Sequence, residues 1–86
     1  MIILLQPAMF SKLSKVMVLD EETKSIDKSF AYTMKDLSVQ IPLLCKQYEI
    51  NKVIISGNKK FNQKIGQQIK SNAISQYSLD IEIEYA

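Results

Sequence analysis

The sequence predicts an α/β fold with a five-stranded mixed sheet, and three observations carry that prediction. Period-two alternation marks residues 26–32 and 78–85, two segments recur at helical spacing, and short apolar runs stand at 2–5 and 52–56. With 86 residues, 47% hydrophobic and 23% charged, the chain reads as one globular domain spanning residues 1–86. It lies near the lower size at which a core forms without covalent staples.

Residues 2–5, Ile2-Ile3-Leu4-Leu5, are apolar on both faces and stop before Pro7, the pattern of a central strand covered on both sides. Residues 13–20, "LSKVMVLD", form a second strand. The polar run Asp20-Glu21-Glu22-Thr23-Lys24 supplies a hairpin turn. Ile26, Lys28, Phe30 and Tyr32 then alternate with Asp27, Ser29 and Ala31 in a third strand.

The period changes after this hairpin. Leu37, Ile41, Leu44 and Tyr48 mark one face of a helix, with Asp36 or Ser38 as its N-cap. Pro42 is expected close enough to the start to be tolerated with a small bend. "KVIIS" at 52–56 is a fourth strand, and Gly57-Asn58 turns the chain, Asn58 capping a helix from Lys59. Phe61, Ile65, Ile69 and Ala73 are expected to face inward there, with Gly66 beside them where backbones approach. Finally Leu79, Ile81, Ile83 and Tyr85 alternate with Ser78, Asp80, Glu82 and Glu84, a strand with one wet face.

The order βββαβαβ, with right-handed crossovers, places the strands 3-2-1-4-5 in the sheet and adds two main helices. This order resembles the ribonuclease H-like superfamily, which includes Holliday-junction resolvases, the pre-16S rRNA nuclease family and the actin-like ATPases. The resemblance covers nearly the whole chain and rests on the order of elements. It implies an acid in the first strand, further acids near the end of the fourth strand and the helices, and two metal ions between them. Here Gln6 stands where the first acid is expected, Pro7-Ala8 replaces the following glycine, and the fourth strand ends in Ser56-Gly57-Asn58. The acids present, Asp20, Glu21, Glu22, Asp27, Asp36, Glu49, Asp80, Glu82 and Glu84, fall in a turn, at helix ends and along a strand face.

Composition closes other routes to chemistry. There is no His and only one Cys, so a Cys/His metal set, an intramolecular disulfide and a His-based catalytic pair are excluded. Cys45 reads as a core thiol. No cofactor is expected, and the chain is read as a non-enzyme. All eleven basic residues are Lys, so bidentate guanidinium recognition of phosphate or guanine is unavailable. The apolar opening "MIILL" lacks a basic region before it and is too short for a signal peptide or membrane span, so a soluble, cytoplasmic setting is expected. Abundant Ile, Lys and Asn suggests A/T-rich coding, as in a low-GC bacterium or its phage.

Two surfaces are candidates for function. Lys52, Lys59, Lys60, Lys64 and Lys70 lie in a stretch without acids, and Asn58, Lys59 and Lys60 open a helix whose amides favour anions. One glycine is too few for a P-loop or dinucleotide site, so a capped turn is the plainer reading. A nucleic-acid backbone is the alternative partner, met by Asn58, Lys59, Lys60, Lys64 and Lys70. The other candidate is the third strand at the sheet edge, where Asp27, Lys28, Ser29, Phe30, Ala31 and Tyr32 offer a route to self-association. The leading expectation is a non-catalytic module that binds a protein partner or itself, self-association running through that edge as a homodimer; a metal-dependent nuclease is the third reading, and no membrane partner is expected.

Overall fold

The computed structural model describes residues 1–8 and 12–86. Its elements are β1 (Ile2–Gln6), β2 (Ser14–Asp20), β3 (Ser25–Tyr32), α1 (Met34–Gln47), β4 (Lys52–Ile55), α2 (Lys59–Tyr77) and β5 (Glu82–Tyr85). The sheet order is β3-β2-β1-β4-β5, the order expected from the sequence. β2 is antiparallel to both neighbours, whereas β1, β4 and β5 run parallel.

Register builds the core. Ile3 pairs with Val18 and Val53, and Leu5 with Val16 and Ile55, so side chains at alternate positions of three strands share one face. All six are fully buried. Leu37, Ile41, Leu44 and Cys45 of α1, with Ile69 and Ala73 of α2, join the same cluster. Both helices therefore cover one face of the sheet. The topology requires this: β3 to β4 and β4 to β5 step across the sheet in the same direction, and right-handed crossovers then lie on the same side. The shortest extent of the molecule, 19 Å against 31 and 30 Å, is that of two layers.

This corrects the expectation that β1 is covered on both sides. Burial alternates along it, with Ile3 and Leu5 enclosed and Ile2 and Leu4 only partly so. Among the described residues no helix lies over the second face, where Leu4 stands between its sheet neighbours Met17 and Ile54.

Three details also differ from expectation. The N-cap of α1 is Thr33, and Asp36 lies in the first turn, its N–H donating to the Thr33 carbonyl at 3.0 Å. Because the helix begins earlier, Pro42 falls in its interior and is buried. Phe61 is 40% exposed and Asn62 takes the inward position at 2%, since its amide donates to the Ser56 carbonyl at 3.0 Å and closes the strand-to-helix turn. β5 is shorter than the alternation implied. Ser78 ends α2 in the left-handed conformation, and Leu79 and Ile81 pack into the core ahead of the strand.

Candidate interaction surfaces

The carboxyl ends of β1 and β4 form the rim where the ribonuclease H-like resemblance implies acids. Gln6 is exposed there, paired with Lys15. Beyond β4 the polar groups are used to turn the chain: Asn58 accepts from the Phe61 N–H at 3.1 Å, Asn62 holds Ser56, and Gly57 adopts φ 118°, a conformation that favours glycine. The Asn58 cap of α2 is thus as the sequence predicts. Among the described residues no group of three or more His, Cys, Asp or Glu is placed to hold a metal ion. Asp20 serves its own turn by accepting from Glu22 N–H at 2.9 Å, and Glu84 lies 3.8 Å from Lys52.

The lysines of α2 divide into two groups. At about 100° per residue, Lys60 and Lys64 lie opposite the buried line of Ile69 and Ala73, whereas Lys59 and Lys70 fall on the flank toward β5. Lys70 lines a shallow polar depression with Asn51, Asp80 and Glu82. Lys59, Lys60 and Lys64 are exposed and enter no ion pair among the described residues.

β3 lies at the sheet edge, as expected. Lys28, Phe30 and Tyr32 share the helix face of the sheet, their partners on β2 being Val18, Val16 and Ser14. Phe30 and Tyr32 stack with centroids 5.9 Å apart and pack against the core. The Lys28 ammonium sits 5.2 Å from the centre of the Tyr48 ring. Burial, and then the neighbouring Tyr48, raises the Tyr32 phenol above its ordinary pKa. Asp27 falls at an irregularity of the ladder, between Ile26 opposite Leu19 and Lys28 opposite Val18. Such a bulge twists an edge and discourages strand addition.

A third surface escaped the sequence reading. On the face without helices, Ile2 and Leu19 are partly exposed and Ile26 is 56% exposed; Leu4 and Ile54 continue the apolar strip across β1 and β4. Ile2 and Leu19 also line a depression with Asp20, Glu21 and Lys24. Alternate residues of the flanking strands put Lys15, Lys52, Glu82 and Glu84 on the same face. The signal was present in the order of elements, because two crossovers in one direction leave one face bare.

Cys45 is 1% exposed, and burial pushes its thiol up to about 11. It packs in the core, as the sequence predicts, in an apolar setting that disfavours the thiolate. No helix among the described residues is long and apolar enough to cross a membrane.

Fold and surface together define a small two-layer α/β domain with one bare sheet face. A scan of protein-family models finds none that matches the chain, and no curated protein matches it.

Proposed function

We propose that this protein is a non-catalytic interaction module that binds another protein chain through its bare sheet face. The carrying observation is the apolar strip Ile26, Leu19, Ile2, Leu4 and Ile54 beside the balanced charges Lys15, Lys52, Glu82 and Glu84. Apolar side chains flanked by charge are the composition of a docking surface, with the apolar part supplying affinity and the charges selecting the partner. The strand order supports a ribonuclease H-like ancestry in which Gln6 and the Ser56-Gly57-Asn58 turn occupy positions where catalytic acids would stand. The absence of Arg and His from the sequence favours binding over chemistry.

The test compares the parent with Ile26→Lys/Ile54→Lys in quantitative capture from a lysate of the source cell, with circular dichroism to establish that both are folded. The expected result is a set of proteins retained by the parent, lost by the variant and indifferent to nuclease. Capture that is unchanged in the variant overturns the reading. Capture abolished by nuclease transfers the function to nucleic acid and to Lys60 and Lys64.

A further inference from the structure

We propose that the partner on the bare face is a second copy of this chain, packed face to face about a two-fold axis that runs along β1. This deepens the interaction-module reading and rests on it. Three features select the occupant.

The first is the row Ser29, Met17, Leu4, Ile54 and Glu84, one residue from each strand in sheet order. β1 is the middle strand. Rotation about an axis along it lays β2 of one copy over β4 of the other, so Met17 meets Ile54, Leu4 meets Leu4, and Glu84 covers Ser29. In the next row Ile2 meets Ile2, Glu82 covers Ile26, and Leu19 lies against the aliphatic stem of Lys52. Apolar groups meet at the axis, and each glutamate falls on a neutral side chain.

Charge is the second feature. Lys15 lies on β2 one row beyond Met17 on the bare face, and the rotation brings it diagonally opposite Glu84 of the other copy. The in-plane offset is roughly 8 Å, and with stacked sheets ~10 Å apart the backbone positions are roughly 13 Å from each other, within the combined reach of a lysine and a glutamate side chain. Rotation about an axis perpendicular to the strands would instead stack β5 on β5 and set Glu82 and Glu84 against their counterparts, which is unfavourable. Lys15 and Lys52 balance Glu82 and Glu84, so the two faces do not repel.

Area is the third. Five strands at a ~4.8 Å spacing and four or so residues of strand height give a face of roughly 25 by 15 Å. Two such faces amount to roughly 750 Å², below the standard size of a stable complex and in keeping with a weak, reversible dimer. Edge pairing through β3 is disfavoured by the Asp27 bulge and by the engagement of Lys28 with Tyr48.

Sedimentation equilibrium of the purified full chain tests the proposal. The expected result is a reversible dimer with a dissociation constant on the order of 10–100 µM. Lys15→Glu or Glu84→Lys alone should weaken it about five-fold or more, the two together should return it toward the parent value, and Ile54→Lys should abolish it. A short bismaleimide should join Leu4→Cys copies, which meet at the axis, and leave Ser29→Cys copies single; the reverse pattern overturns the face in favour of the β3 edge. Cys45, buried, stays unlabelled in both. A parent that remains monomeric at ~500 µM overturns the dimer, as does a charge-reversed pair that fails to restore a dimer weakened by each single change. If that monomer still captures proteins and loses them on Ile26→Lys/Ile54→Lys, the interaction module stands without self-association; if capture is also unaffected, both readings fall.

Discussion

The side-chain amide of Asn72 in α2 donates to the main-chain carbonyl of Ser38 in α1 at 2.8 Å. In an uninterrupted helix that carbonyl would receive the N–H four residues on, but residue 42 is proline and has none. Asn72 thus supplies from the neighbouring helix the donor that α1 lacks, and ties the two helices together over the sheet.

Removing the donor leaves a partly buried carbonyl unpaired, so Asn72→Ala should destabilise the fold by about 1–3 kcal/mol. Pro42→Ala restores an N–H within α1, and in that background the same change should cost at least ~1 kcal/mol less. Urea denaturation of the four proteins in the cycle measures the coupling. Equal costs of Asn72→Ala in both backgrounds would show that the bond does not substitute for the missing helix donor.

Gly66 presents a second inter-element contact. A Cβ there would run into the Tyr85 hydroxyl, with the Ile83 Cγ2 methyl 3.2 Å away. Alanine has the better helix propensity by ~1 kcal/mol, yet the crowded contact should outweigh it and make Gly66→Ala destabilising by about 1–2 kcal/mol. Tyr85→Leu, which shortens the obstructing side chain, should recover part of that loss in the double variant. A thermal shift upward for Gly66→Ala alone would contradict the packing of α2 against β5.

Much of this architecture was legible because periodicity and chain direction set it. The alternation of β3, the helical spacing of Leu37, Ile41 and Leu44, and the Asn58 cap identify their elements before any coordinate is known. Phe61 departs from the inward position that helical spacing predicts because the spacing carries no information about the turn before the helix. The backbone turn at Ser56 needs a donor, and Asn62 meets that need from the buried side. Similarly, the apolar run of β1 implies two covered faces only if each residue contacts a helix, whereas Leu4 is sheltered within its own sheet. The bare face follows from global topology, which no local window contains.

Cys45 makes stability depend on alkaline pH. Burial raises its folded-state pKa to about 11, above the ~8.5 of a free thiol, so the unfolded chain loses the proton first. The thiol's contribution is fully present below the unfolded value and is lost as pH rises through the folded one. Tyr32 is shifted in the same direction and adds to the loss at the upper end. The urea midpoint should fall between pH 8 and pH 10.5, and fall less in Cys45→Ala. The thiol should also react with a thiol reagent at pH 8 only when denaturant is added.

Catalysis is tested at the carboxyl ends of β1 and β4. With magnesium or manganese, the protein should not cut single-stranded, duplex or branched nucleic acid, because Gln6 and Ser56 offer no carboxylate there to hold a metal. Replacing Gln6 with Asp alone should not confer cleavage, since two-metal chemistry needs several converging acids. Metal-dependent cleavage that survives purification and is lost in Asp36→Asn would reverse the non-enzymatic reading.

The exposed lysines of α2 give the nucleic-acid alternative a measurable form. Lys60 and Lys64 are one turn apart on the outer face, and each phosphate contact releases counterions, so binding that depends on them must weaken steeply with salt. Two lysines without arginine support only a shallow, non-specific attraction. At ~50 mM salt, where screening is weak, a labelled oligonucleotide should therefore bind feebly or not at all, and equally for different sequences. Lys60→Glu/Lys64→Glu should remove whatever binding exists while leaving the circular dichroism spectrum unchanged, since both side chains are exposed. Tight binding that tolerates ~200 mM salt and discriminates between sequences would demand base contacts beyond these two ammonium groups, and would shift the functional surface from the bare sheet to the helices on the opposite side.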